Sequence, residues 1–187
     1  MINYIGLDGE MSGIDINNGH KLIQIGLAKM VDGKMLSTSS LLNPGEMAWS
    51  EEAQAVHQFT IEDIKSRGAD PDLVDLKLAD WVSTKADRQR TIVVGFNVGS
   101  FDMPFVSQTL PTLRSRLSRR SVDLNSILFA LSDTDSQFQK LKSKSKDYAI
   151  EKMDGMFEGF KNRQHDAEYD AVMALYCFEY LRNLIKD

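Results

Sequence analysis

Residues 3–13 read NYIGLDGEMSG and place two carboxylates, Asp8 and Glu10, inside a segment with the pattern of a buried strand. Strand side chains alternate between faces, so both acids point the same way, about 7 Å apart along the strand, and their charges repel. Ile5 and Leu7 occupy the opposite, apolar face. Two interpretations are open: both acids point into water, or a divalent cation such as magnesium, which prefers carboxylate oxygens, holds them together.

The composition predicts a single domain over residues 1–187. Of these residues 42% are hydrophobic and 26% are charged, which suffices for one substantial core. The apolar runs are too short for a membrane span, there is no signal-peptide pattern, and Cys177 is the single cysteine. We therefore expect a cytoplasmic protein without a membrane partner. Its net charge of −5 argues against a protein that coats long duplexes, but is compatible with short nucleic acid.

The first half of the chain predicts a sheet that begins antiparallel. The segments YIGLDGE, KLIQIGLAKM and KMLSTSSLLN have strand patterns, and residues 31–33 form a hairpin turn between the last two. Further along, TIVVGFN has the unbroken β-branched run of a strand that is covered on both faces.

Helical patterns surround that buried strand. The predicted elements are, in order, helices over residues 51–65 and 71–86, a helix from Asp102, a short strand SVDL, a helix over 126–131, a loop with the lysine-rich run 140–146, and a helix over 167–185. Strands first and then alternating strands and helices indicate an α/β fold. We expect a mixed sheet, antiparallel in its first three strands and then parallel, flanked by helices.

Three further candidate residues lie at the ends of predicted elements. Asp102 follows the buried strand, at the carboxyl end where ligand sites of open α/β sheets collect. His165 precedes the last helix, and Asp170 lies in its first turn. Each residue taken alone has a structural alternative, because acids commonly cap helices or interact with the helix dipole. Their joint placement with Asp8 and Glu10 indicates a common site.

The segments LDGEMSG, GFNVGSFD and HDAEYDA resemble, in this order, the three exonuclease motifs of the DEDDh family. This family comprises DnaQ-like 3′–5′ exonucleases of the ribonuclease H-like superfamily. The third motif is the most specific, because His165, Ala167, Asp170 and Ala171 all match its pattern H-x-A-x-x-D-A. The segments AWSEEAQAVHQFT, LADWV and SVDLNSI are also similar to the oligoribonuclease and RNase T branch.

Two features depart from the family pattern. Asn97 lies five residues before Asp102, where the commoner spacing is four, and residues 132–163 match no family segment that we can identify. Substrate length and the choice between DNA and RNA therefore stay open.

The resemblance implies a metal-dependent 3′–5′ exonuclease with a ribonuclease H-like fold. Such an enzyme releases nucleoside 5′-monophosphates from 3′ ends of single-stranded DNA or RNA, or from short oligonucleotides, with two divalent ions, Mg²⁺ or Mn²⁺. By resemblance, Asp8 bridges both ions, Glu10 and Asp170 hold the ion that positions the attacking water, and Asp102 binds the second ion through water. His165 is then the general base, a common role for imidazole at neutral pH. Many relatives form homodimers, so a homodimer is compatible with the resemblance.

Substrate-binding candidates follow from the same resemblance and from the stacking of bases on aromatic rings. They are Met11, Ser12, Trp49, His57, Asn97 and Phe101. Core packing is the stronger alternative for Phe101 and for the neighbouring candidate Phe59, whereas stacking and packing are evenly balanced for Trp49.

Two alternative functions stay open. One is a catalytically idle nucleic-acid-binding domain on the same fold, against which the presence of all five catalytic side chains argues. The other is a phosphodiesterase that acts on a nucleotide other than a polymer, with which the negative net charge is compatible.

Overall fold

A computed structural model of the chain describes residues 2–82, 91–157 and 165–186. One sheet contains the strands β1 (Asn3–Met11), β2 (Leu22–Val31), β3 (Lys34–Leu41), β4 (Thr91–Gly95) and β5 (Ser121–Asp123). The helices in these ranges are α1 (Glu51–His57), α2 (Ile61–Arg67), α3 (Pro71–Val82), α4 (Asp102–Thr109), α5 (Pro111–Arg116), α6 (Leu124–Ala130), α7 (Asp135–Met153) and α8 (Ala167–Lys186). None of them is long and apolar enough to cross a membrane.

The strand order β3-β2-β1-β4-β5 confirms the predicted mixed sheet. Strands β1, β2 and β3 pair antiparallel, whereas β4 is parallel to β1 and β5 is parallel to β4. The β2–β3 hairpin closes through Asp32 and Gly33, both with positive φ, as a tight two-residue hairpin turn requires. Residues 83–86 of the predicted second helix lie outside the described residues.

The two faces of β1 contribute to different parts of the molecule. Ile5, Leu7 and Met11 pack into one core with side chains of α3, α4 and α5. The other face carries Asp8 and Glu10 and is covered by α8, which packs with α6 and α7 in a second core. Strand alternation therefore places both acids at the sheet–helix boundary.

Two glycines let α8 approach the sheet closely. A Cβ atom on Gly6 would collide with the backbone carbonyl of Ala171, and one on Gly26 would collide with that of Ala167. Gly26 is also the cross-strand partner of Asp8. The helix backbone therefore lies directly on the sheet beside Asp8.

Polar contacts fix the position of the first turn of α8. The Gln24 side chain accepts a hydrogen bond of 3.1 Å from the Ala167 N–H. The carboxylate of Glu168 accepts hydrogen bonds of 2.7 Å from Ser37 and 3.0 Å from Ser39, both on β3. These contacts fix the direction in which the rest of the first turn points.

The prediction of a loop around the lysine-rich run was wrong. Residues 140–146 lie within α7, which begins after Thr134, whose side chain accepts a hydrogen bond from the Gln137 N–H. The buried side of α7 includes the small residues Ser145 and Ala149, which make its helical periodicity hard to detect in the sequence.

One other helix prediction needs correction. The single helix predicted over residues 51–65 is two helices, because Gln58 adopts a left-handed conformation and Thr60 starts α2 with a capping box. In α3, Leu73 and Leu76 are exposed, because Asp75 turns inward instead. Its carboxylate accepts hydrogen bonds from two backbone N–H groups at the start of α5.

Replacing Gly26 with alanine should destabilise the protein strongly. The added methyl group would have to push the α8 backbone away from the sheet, an overpacking cost of about 1–3 kcal/mol or more. Urea unfolding measures this loss. Gly155→Ala is the control: that glycine has φ of 74° and nothing within 4 Å of an added Cβ, so we expect only the backbone cost of about 1 kcal/mol. Equal losses in the two variants would contradict the close-approach explanation.

Candidate metal centre

The second half of β1 presents Asp8 and Glu10 beyond the end of its neighbour β4. Strand β4 pairs only with the first part of β1, from Asn3 to Gly6, so the following edge of β1 has no strand partner on that side. Asp102 occupies this edge, where its Oδ1 accepts a hydrogen bond of 2.9 Å from the Gly9 N–H. This hydrogen bond holds the Asp102 carboxylate, at the start of α4, beside the residue that separates Asp8 from Glu10 in the strand.

Helix α8 and the residues before it bring two more groups to the same place. Asp170 lies in the first turn of α8, and its Oδ2 accepts a hydrogen bond of 3.2 Å from the His165 N–H. His165 is exposed and has φ of 69°. One potential ligand atom from each of Glu10, His165 and Asp170 lies within 4.8 Å of the others.

Burial and mutual repulsion raise the pKa values of the acids. Burial raises the pKa of Asp8 well above its usual range, and the charges of Asp102, Asp170 and Glu10 raise it further. The same two causes, burial first, raise the pKa of Glu10 to about 8. Burial raises the pKa of Asp102 to about 7, although its hydrogen bond from Gly9 opposes the shift. Asp170 also has a raised pKa because of burial, which the charge of His165 partly offsets.

This donor set fits divalent metal ions. Hard cations such as Mg²⁺ and Mn²⁺ prefer carboxylate oxygens, and four carboxylates converge here. No salt bridge recorded between described residues joins a lysine or arginine to one of these four acids. The charges of His165 and Lys146 favour ionised Asp170, but burial still raises the pKa of all four acids, so a bound cation would favour their ionised forms.

A second group of candidates surrounds His57, which is only 6% exposed. Its Nδ1 accepts a hydrogen bond of 3.0 Å from the Phe59 N–H, and its Nε2 is buried without a partner in the described part of the chain. The ring stacks on Phe59 and has an edge contact with Trp49. Burial, and secondly the charge of His165, lower the pKa of His57 to about 4. His57 therefore lies close enough to His165 for the charge of His165 to affect it.

The other substrate-binding candidates differ in accessibility. Met11 is 4% exposed within the first core, and Ser12 is fully buried with its hydroxyl bonded to the Lys21 N–H. Neither side chain is accessible to a ligand in this conformation. Asn97 is exposed and accepts a hydrogen bond of 2.9 Å from Asn125. Phe101 packs against the core with an edge contact to Phe105, in agreement with the packing alternative.

Sequence reasoning missed several groups near this centre. Gln24 lies opposite Glu10 on β2 and holds α8, and a polar side chain within an apolar strand was its detectable signal. Asp166 adds negative charge to the site. Lys142 and Lys146 line a cavity of about 320 Å³ beside the acids. Nothing in the sequence showed that these two lysines lie near the acids, because residues 140–146 were predicted to be a loop.

Comparison with known proteins gives one family match. The family model RNase_T, described as exonuclease, matches residues 5–178. No curated protein matches the chain. The matched range begins within β1, ends within α8 and includes all five residues of the acidic and histidine group.

Without metal, the protein should lose stability as the pH rises from about 4 to 8. Asp8, Glu10 and Asp102 have raised pKa values in the folded state, so the folded protein holds more protons than the unfolded chain in this range. The free energy of unfolding then falls with rising pH. In a chelating buffer we expect the melting temperature at pH 8 to lie about 5–10 °C below that at pH 5.

Glu10→Gln should reduce this pH dependence and raise the melting temperature at pH 8, because it removes one of the repelling charges. Asp75→Asn is the control, because Asp75 is also buried but its carboxylate accepts two backbone hydrogen bonds. That variant should be less stable at both pH values. A parental pH dependence in Glu10→Gln would show that repulsion in the acidic group does not limit stability.

Proposed function

The chain belongs to the exonuclease family, and on this premise we propose that it removes nucleotides from the 3′ end of single-stranded or short nucleic acid. The reaction is hydrolysis of the last phosphodiester bond. Water adds to phosphorus, the bond from phosphorus to the 3′ oxygen of the penultimate nucleotide breaks, and a nucleoside 5′-monophosphate is released. The observation that carries the proposal is the convergence of Glu10, His165 and Asp170 within 4.8 Å, with Asp8 and Asp102 beside them.

The four acids would hold two divalent ions, Mg²⁺ or Mn²⁺. When bound, these ions would lower the pKa of water and neutralise the charge that develops on the phosphoryl group. The charges of Asp102, Asp170 and Glu10 all act on Asp8, which supports a bridging role. Ligand atoms of Glu10 and Asp170 lie within 4.8 Å of each other, which supports the binding of one ion by both residues. Asp102, held by Gly9, would contribute to the second.

His165 would accept the proton of the attacking water. Its ring lies within 4.8 Å of ligand atoms of Glu10 and Asp170, and its exposure leaves room for a substrate beside it. A general base must lie within hydrogen-bond reach of the proton that it removes, directly or through one water. The position of His165 is compatible with that requirement.

His57 would bind the terminal nucleotide as a neutral hydrogen-bond donor if substrate binding exposed its buried Nε2. Because its Nδ1 accepts from the Phe59 N–H, the ring proton of the neutral form is on Nε2, which has no partner in the described part of the chain. An orphaned buried donor is costly unless a ligand satisfies it. The low pKa of about 4 keeps the ring neutral, so it would serve in binding rather than proton transfer. Trp49 beside it would contact the terminal base.

The first experiment tests the metal-dependent cleavage. Asp8→Asn and Glu10→Gln should abolish release of mononucleotides from labelled single-stranded DNA and RNA in Mg²⁺ or Mn²⁺, while both variants stay folded. Asp80→Asn, an exposed acid on α3, is the matched control and should retain parental activity. Substrates labelled at either end distinguish the direction of cleavage. Activity retained in Asp8→Asn would refute the proposed metal centre.

The second experiment separates the three histidines of the chain. His165→Ala should lower the single-turnover rate about 10²- to 10⁴-fold with substrate affinity near parental, because a positioned proton acceptor is lost. His57→Ala should mainly weaken substrate binding. His20, which bonds the backbone of Asp15, is the control and should have no effect on the chemical step.

Rates of the parent and His165→Ala should be compared from about pH 5.5 to 9 with saturating Mn²⁺. We expect the limb that rises with pH to disappear or move in the variant. A parental rate and pH profile in His165→Ala would exclude the histidine-dependent mechanism.

A further inference from the structure

Helix α7 presents two lysines to the cavity beside the acidic group. Lys142 and Lys146 are one helical turn apart, and their ammonium nitrogens lie 5.2 Å and 5.7 Å from the centre of the Phe96 ring. The same cavity, of about 320 Å³, is lined by Asp8, His165 and further residues of α7 and α8. The cavity is thus lined by acids, by His165 and by a pair of cations.

Lys142 is held in place by contacts that do not neutralise its charge. Its Nζ donates a hydrogen bond of 3.3 Å to Asn125, which in turn bonds Asn97 in the loop after β4. The ammonium group also lies 5.6 Å from the Phe138 ring. Burial and the charge of Lys146 both lower the pKa of Lys142, which shows that two like charges are held close together. In the described part of the chain neither lysine forms a salt bridge.

An anion in this cavity would relieve the repulsion between the lysines. The proposed metal ions would neutralise the carboxylates, so the charge that still faces the cavity would be that of Lys142 and Lys146. The lysine ammonium group binds phosphate as a point charge, and its hydrogen bonds to phosphate are stronger than those between neutral groups. The substrate class of the proposed function supplies phosphates at regular intervals next to the one that is cleaved.

We propose that Lys142 and Lys146 bind the second phosphate from the 3′ end of the strand, an inference that rests on the proposed function. A strand with a free 3′ hydroxyl carries no phosphate beyond the linkage that is cleaved. A second phosphate in the cavity must therefore lie on the 5′ side, between the second and third nucleotides. A dinucleotide without a 5′ phosphate lacks this group, so the lysine pair favours trinucleotides and longer strands over such a dinucleotide.

Binding of uncleavable analogues tests this subsite without relying on activity. The probes are a trinucleotide and a dinucleotide, both without a 5′ phosphate, in which a methylene group replaces the bridging 3′ oxygen of the terminal linkage. Calorimetric titration with Mn²⁺ present should show that the double variant Lys142→Gln, Lys146→Gln binds the trinucleotide about 10- to 100-fold more weakly than the parent. Its affinity for the dinucleotide should be parental.

The chain offers a matched control on the same helix. Lys140 and Lys144 have the same spacing, are exposed and do not line the cavity. The double variant Lys140→Gln, Lys144→Gln should bind both analogues like the parent. Lys142→Arg, Lys146→Arg retains both charges and should recover most of the trinucleotide affinity, which separates loss of charge from disturbance of α7.

Three results would overturn the inference. If the Gln variant bound both analogues equally more weakly than the parent, the lysines would contact the cleaved phosphate instead. If the Gln variant bound the trinucleotide like the parent, the two lysines would only form a solvated helix face. If the Lys140 and Lys144 variant lost as much trinucleotide affinity, the effect would reflect the net charge of the protein rather than a specific subsite. Failure of the proposed function would give a different result, because the parent itself would then release no mononucleotides from any strand.

Discussion

The contact between the α8 backbone and the glycines of the sheet is the constraint on which the centre depends. Gly6 and Gly26 leave no side chain between the strands and the helix, so the first turn of α8 lies directly beside Asp8. Asp170 and His165 can reach the acids of β1 only because of this approach. Gln24 and the two serines of β3 then fix the orientation of that turn. The geometry of the acidic centre is thus determined by residues that are not themselves candidate metal ligands.

The acidic centre is arranged at a cost to the folded state. Each carboxylate is buried or half-buried near others, and no lysine or arginine of the described residues forms a recorded salt bridge with them. Such clusters of perturbed carboxylates are typical of functional sites, where a ligand supplies the missing counter-charge. The same repulsion that weakens the metal-free protein would contribute to metal affinity, because bound cations would remove it. Repulsion between the carboxylates therefore links the stability of the protein to its proposed function.

The surroundings of the centre divide into regions of different chemistry. The pocket of His57 combines aromatic rings with one unsatisfied donor, which suits a base and sugar. The α7 side combines lysines with the Phe96 ring, which suits phosphate. His165 interacts electrostatically with His57 and lines the cavity that Lys142 and Lys146 also line. In the proposed function, these environments would serve the terminal nucleoside, the cleaved linkage and the next phosphate.

The sequence by itself determined the sheet and the composition of the acidic centre. Alternation in NYIGLDGEMSG predicted which face Asp8 and Glu10 share, and the order of strands and helices predicted a mixed sheet, because these patterns depend on local periodicity. The placement of Asp102 and Asp170 at element ends was predictable for the same reason. Only the tertiary structure decided how closely α8 packs, which donor of His57 lacks a partner, and that Lys142 and Lys146 face the acids. These features depend on contacts between segments distant in the chain, such as Gln24 with Ala167, and local periodicity carries no information about them.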